Sequence, residues 1–207
     1  RALRDVPAMT ASFTEHEGKP FRVISEDINF GLAVDVEKKN GTRSLLVPNI
    51  KGSQQYAFQG FFAAYNELLR KVRTGSIEVS DFENTTLTLT NPGMIGTVHS
   101  IPRLMQGQGL IVAAGAIQYP PEWQNADPNT IARLGISKVM MVSSTYDHRV
   151  IQGAESGYFL QRFDRLMQGD DEFYEDIFRS LKIPYSIAKA SRDVNTGFEG
   201  ATAEVEK

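Results

Sequence analysis

Chemistry in this chain has few residues to work with. There are three histidines and no cysteine. A cysteine nucleophile, a disulfide, a thiolate zinc site and an iron–sulfur cluster are therefore excluded. His16 lies in the polar run Glu15-His16-Glu17 and reads as solvated; His99 follows a glycine-containing loop and reads as a surface or satisfied histidine. His148 stands apart, in Ser144-Thr145-Tyr146-Asp147-His148-Arg149-Val150-Ile151-Gln152-Gly153. The pattern there changes from strand to helix, and such a junction holds a side chain firmly at a sheet edge, where a general base is well placed. The competing reading is plain: Asp147 and Arg149 pair on the surface and His148 is incidental. A second stretch, Thr88-Leu89-Thr90-Asn91-Pro92-Gly93-Met94-Ile95-Gly96, ends a strand in hydroxyls and follows it with two glycines. Glycine lets a ligand approach backbone closely, and a hydroxyl or amide at the rim can donate to a developing oxyanion. Here the competing reading is a turn between strands.

Other motifs are absent or misplaced. Gly107-Gln108-Gly109 precedes an apolar run instead of opening a helix, so it is no dinucleotide loop. No P-loop lysine and no nucleophile elbow occur, and three scattered histidines do not suggest a metal site.

The elements that must position these residues follow from periodicity. Alternation over Ile28–Val36 and a return at Ser44–Pro48, around Lys39-Asn40-Gly41, predict a hairpin. Glu17-Gly18-Lys19-Pro20 predicts a turn between two short extended pieces. Ala57–Arg73 carries a helical stripe closed by Gly75. Further strands are expected at Thr86–Thr90, Leu110–Ile117 and Lys138–Thr145, and further helices at Gly153–Met167 and Asp170–Leu181. Strands and helices mix without clean βαβ alternation, which gives an α/β or α+β domain. Beyond Pro184 the apolar period dissolves.

The 207 residues suit one domain with a tail. The apolar share of 41% supports a sizeable core, and a net charge of −3 argues against a nucleic-acid or polybasic membrane surface. No apolar run reaches the roughly 18 residues of a membrane span, and no signal peptide opens the chain, so the expected compartment is cytoplasmic. A start at Arg1 suggests a piece of something longer.

Two motifs together resemble the catalytic domain of the 2-oxo acid dehydrogenase acyltransferases, a family related in fold to chloramphenicol acetyltransferase. One is Tyr146-Asp147-His148-Arg149-Val150-Ile151-Gln152-Gly153; the other is Thr90-Asn91-Pro92-Gly93-Met94-Ile95-Gly96. Their order and the strand between them also match. The wording from Thr145 to Gly157 is most similar to the branch fused to the thiamine-dependent component of actinobacterial 2-oxoglutarate dehydrogenases. The resemblance implies an α/β two-layer sandwich whose N-terminal helices and first strand are missing here. It implies an acyltransferase domain over residues 1–181 and a linker over 182–207 toward a thiamine-dependent domain.

By the same resemblance, the reaction moves a succinyl group from dihydrolipoamide to coenzyme A within the tricarboxylic acid cycle. His148 would be the base and Thr90 the oxyanion donor, with Asp147, Gln152, Asn91 and Gly93 supporting them. Coenzyme A and dihydrolipoamide are substrates; thiamine diphosphate and magnesium belong to the rest of the polypeptide. The expected partners are two further copies in a trimer with the site between subunits, the fused thiamine-dependent domain, and a lipoyl domain from another protein. Two departures stand out. Gln152 replaces the family's usual Asp, which pairs with an early arginine, and Leu104-Met105-Gln106-Gly107-Gln108 replaces its Asn-Pro-Pro-Gln. They raise an alternative, a catalytically weak domain kept for assembly. A small-molecule acetylating relative is a third reading, disfavoured by the tail and the branch-specific wording.

Overall fold

A computed structural model describes residues 1–38 and 40–185. Most of the expected linker, from residue 186 on, lies outside the described residues.

The chain opens with a short helix, α1 (Ala2–Asp5), and then the hairpin β1 (Ala11–His16) and β2 (Lys19–Ile24). The expected turn sits between them, with Glu17 at φ 51° and Gly18 at φ 72°. Two positive φ values give the tight turn whose twist matches a two-stranded ribbon.

The predicted strand Ile28–Val36 is in fact two. β3 (Phe30–Leu32) joins the main sheet, and β4 (Val34–Glu37) pairs with β5 (Arg43–Leu46) in the expected hairpin. The alternation runs through the break because it records which face is buried, not which strand is the partner. β6 (Asn49–Ile50), β7 (Leu87–Thr90), β8 (Leu110–Ala114) and β9 (Val142–Tyr146) complete a five-stranded sheet of order β6-β3-β7-β8-β9. β3, β7 and β8 run parallel, while β6 and β9 are antiparallel to their neighbours.

Register divides the sheet into two faces. Phe30, Leu87, Leu89, Leu110, Val112 and Val142 share one face, and helices cover it. α2 (Phe58–Thr74) packs Leu68 and Phe61 over Leu32, Ile50 and Leu89; α4 (Gly153–Met167) packs Phe159 and Leu166 over Leu87, Leu110 and Val112. Both helices begin and end within a residue of the prediction, because each carries an unbroken apolar stripe. α5 (Phe173–Ser180) follows a left-handed kink at Asp171 and Glu172. α3 (Pro128–Leu134) is not in the sequence reading. Its Asp127 cap, with the Thr130 N–H donating to Oδ2 at 2.9 Å, and Gly135 beyond its end were the missed signals.

The opposite face carries Thr88, Thr90, Ile111, Ala113, Ser143 and Thr145. No helix covers it. A strap of chain, residues 97–108, lies across it instead. The Thr97 carbonyl accepts from the Ala116 N–H at 2.9 Å, Ser143 Oγ donates to the Ser100 carbonyl, and Thr88 Oγ1 donates to Gln108 Oε1 at 2.6 Å. Among the described residues no helix is long and apolar enough to cross a membrane.

Candidate active site

His148 sits just past the end of β9, in a turn held from behind. The Asp147 carbonyl accepts from the Val150 and Ile151 N–H groups at 3.1 and 2.9 Å, and the Asp147 N–H donates to the Gly109 carbonyl at 2.9 Å. Val150 and Ile151 are buried in the core. The carboxylate of Asp147 accepts from the Arg149 guanidinium, with Nη2 to Oδ2 at 2.6 Å and Nε to Oδ1 at 2.9 Å. That guanidinium holds the Asp147 carboxyl below its ordinary range. Arg149 also lies 3.8 Å from the centre of the Phe13 ring. So the surface pair of the plainer reading exists, and it braces the turn. Nothing comparable encloses His148. It is exposed, with the Tyr146 ring 5.5 Å away.

Gln152 begins α4 with an exposed side chain. Its N–H donates to Glu155 Oε2 at 2.7 Å, and Glu155 Oε1 lies 3.4 Å from Nη2 of Arg22 on β2. A carboxylate–arginine pair therefore does exist here, three residues on from Gln152. The spacing Gln152-x-x-Glu155 is that of a capping box and could have been read in the sequence.

Thr90 ends β7, half-buried on the polar face. The chain then turns through a single 3₁₀ turn, Pro92–Ile95, and Gly96 ends it at φ 91°. Asn91 is exposed, and its side chain makes no cap. Gly93 answers a packing need: a Cβ there would lie 2.3 Å from the carbonyl carbon and oxygen of Gly115. The close approach expected of a ligand is made by the protein's own backbone. The Thr88–Gln108 bond is the polar contact that sequence reasoning missed. Its partners are 20 residues apart, and only the strap brings them together.

The register separates His148 from Thr90. Thr90 is opposite Ala113, which is opposite Ser143, while Tyr146 is opposite Leu110. Because β9 runs against β7 and β8, His148 lies beyond one end of the sheet and Thr90 at the other. Three residues along and two strands across put Tyr146 and Thr90 about 14 Å apart at Cα, and His148 is farther still. One copy cannot bring both to one reacting atom. Around Thr90 the surface is apolar: Met94 and Ile95 are 82% and 83% exposed, and Ile117 and Met141 more than half. Among the described residues no cluster of side chains could hold a metal ion.

The catalytic-domain model of the 2-oxoacid dehydrogenases acyltransferases matches residues 1–174. This chain belongs to that family. It is 48% identical over 205 residues to the multifunctional 2-oxoglutarate metabolism enzyme of Mycolicibacterium vanbaalenii, and 43% identical over 203 to the 2-oxoglutarate dehydrogenase E1/E2 component of Corynebacterium glutamicum. These matches cover 99% and 98% of this chain but 16% of each relative, so it spans about a sixth of their length. Its fold is that of lipoamide acyltransferase cores. A truncated catalytic core of the 2-oxoacid dehydrogenase multienzyme complex from Thermoplasma acidophilum superposes with a TM-score of 0.65 at 22% identity, covering 82% of this chain and 70% of that one. The dihydrolipoamide acetyltransferase of Azotobacter vinelandii gives 0.63 at 23% identity, covering 86% and 65%.

Proposed function

We propose that this domain transfers a succinyl group from dihydrolipoamide to coenzyme A as part of a 2-oxoglutarate dehydrogenase, at a site formed between copies of a trimer. One copy supplies His148 and its neighbour Thr90. A single observation carries this reading. The only exposed histidine on a braced turn lies too far from Thr90 within one copy, and the apolar surface around Thr90 is of the kind a second copy covers.

The steps follow from the two groups. The His148 imidazole takes the proton of the coenzyme A thiol. The thiolate attacks the thioester carbonyl, and the resulting oxyanion accepts from the Thr90 hydroxyl. Collapse breaks the carbon–sulfur bond to dihydrolipoamide, whose sulfur takes the proton back from His148. No covalent enzyme intermediate forms, which agrees with a chain without cysteine. The Azotobacter structure is described as bearing on a serine, a histidine and an asparagine in catalysis. This chain offers the same classes: a hydroxyl at Thr90, an imidazole at His148 and a carboxamide at Gln152. The names of the relatives support the 2-oxoglutarate setting. Thiamine diphosphate and magnesium would serve a dehydrogenase part of the same polypeptide, a lipoyl domain of another protein would carry the acyl group, and the compartment would be the cytoplasm.

The alternative, an assembly domain without turnover, rests on the uncharged Gln152 and on the altered segment Leu104-Met105-Gln106-Gly107-Gln108. The Arg22–Glu155 pair at the same helix start weakens it. Succinyl transfer from dihydrolipoamide to coenzyme A by the intact protein decides. His148→Ala is expected to lower kcat by about 10²–10⁴-fold and Thr90→Val by about 10²-fold, with the folded far-UV spectrum retained. Unchanged succinyl-CoA formation in both variants would leave the assembly role standing.

A further inference from the structure

Four threonines stand in β7 or just before it. Thr85 Oγ1 donates to the Phe82 carbonyl at 3.1 Å, Thr86 Oγ1 to the Asp27 carbonyl at 2.8 Å and Thr88 Oγ1 to Gln108 Oε1 at 2.6 Å. Among the described residues, the Thr90 hydroxyl alone of the four has no partner. Its proton is left for a ligand, and its position has to come from the strand that carries it. The Thr88–Gln108 bond is the tie nearest to it on the same face of β7.

Thr88 is fully buried and Gln108 is 9% exposed. For stability alone such a pair is dispensable, because replacing both partners with apolar groups of the same shape is nearly neutral. What the bond adds is direction: it fixes a length and an angle, which an apolar contact does not. Its Gln108 end cannot drift. The Gln108 N–H donates to the Met105 carbonyl at 3.1 Å, and the Gly109 carbonyl accepts from the Asp147 N–H at 2.9 Å. A Cβ on Gly109 would lie 1.8 Å from the Ala11 carbonyl oxygen, so this peptide is also pressed against β1. At the other end, Thr88 is opposite Ile111 and Thr90 is opposite Ala113. The two threonines are two residues and about 7 Å apart along the strand. The branched β-carbon of Thr88 restricts its rotamers, so holding its hydroxyl holds the strand below Thr90.

We infer that Gln108 is a positioning residue for acyl transfer: through Thr88, its carboxamide sets where the Thr90 hydroxyl meets the oxyanion. The inference rests on the acyltransferase reading above and deepens it. Gln108 acts through its neighbour and not on the substrate. An oxyanion donor works over a narrow range, about 2.7–3.1 Å, and a misplacement of about 1 Å costs about 10²-fold in rate. A strand released by a few tenths of an ångström therefore loses turnover without losing its fold.

The test measures acyl transfer from succinyl-CoA to free dihydrolipoamide by the intact protein, beside its thermal melt. Thr88→Val combined with Gln108→Leu keeps the packing and removes the bond. This pair is expected to melt within a few °C of wild type, yet to lower kcat about 10-fold with KM within about twofold. Thr88→Ser keeps the hydroxyl and loses a buried methyl, so Tm should fall while kcat stays within about twofold of wild type. In a Thr90→Val background the paired change is expected to cost nothing further, because the group it positions is gone. Should the paired variant fail to fold, Thr88→Val alone is set against Thr88→Ser in the same way. A kcat that follows Tm through the series would overturn the inference and make the pair purely structural. So would a 10-fold loss that persists without the Thr90 hydroxyl, since Gln108 would then act elsewhere. A wild type that transfers no succinyl group would instead overturn the acyltransferase reading beneath it.

Discussion

At the scale of the residue, His148 gets its position from its neighbours and its freedom from having none on its outer side. Asp147 does the holding. Its carbonyl, its N–H and its carboxylate are all engaged, and the carboxylate is kept ionised by Arg149. The sign of the pH effect follows. A carboxyl whose pKa is lowered on folding stabilises the fold above its unfolded value of about 3.9, and the gain is lost as pH falls through the lowered value. Asp147→Asn is therefore expected to lower Tm by about 2 °C across pH 5–8, and the difference should shrink only below about pH 4. Thermal melts of the two proteins across that range check it. A difference that fades between pH 7 and pH 5 would mean another group braces the turn.

At the scale of the element, stripes were legible and partners were not. α2 and α4 could be read to within a residue because burial along a helix is written every third or fourth position. β8 was legible as an apolar run, since both its faces are covered. The break at Ala33 was not, because Leu32 and Ala33 exchange partners without breaking the alternation: their N–H groups donate to the carbonyls of Pro48 and Leu89. α3 was missed because a seven-residue helix burying only Ile131 has no stripe to read.

The Thr90 loop shows the same division. Its glycines were legible, but their reason was tertiary. Gly93→Ala drives a Cβ into the backbone of Gly115, which cannot yield as a flexible side chain would. It is expected to cost about 1–3 kcal/mol and several °C in Tm, and to reduce acyl transfer by displacing Thr90. Gly157→Ala is the control: it lies exposed on α4 with nothing within 4 Å of the added carbon, and should leave Tm level or higher. Equal melting of Gly93→Ala and wild type would show that the loop packs differently.

At the scale of the whole molecule, one fact governs the rest. A mixed sheet with an antiparallel last strand sends its two chemical groups to opposite ends. The motifs carrying them were legible in the sequence; their separation was not, since it depends on strand order and direction. Covering one face with helices and the other with only a strap leaves the half-buried Thr90 beside exposed apolar side chains. By the proposal above, a second copy completes this face.

That claim can be measured by complementation. By this reading, His148→Ala and Thr90→Val proteins alone each keep about 1% of wild-type turnover or less, the first lacking the proposed base and the second the proposed oxyanion donor. After the two are mixed in equal amounts and their subunits allowed to exchange, a cyclic trimer containing both carries one interface with an intact histidine and an intact threonine. Random exchange should then restore about one quarter of wild-type succinyl transfer. Recovery to that level is the expected result. No recovery from a mixture shown to have exchanged subunits would place both groups in one copy and contradict the shared site.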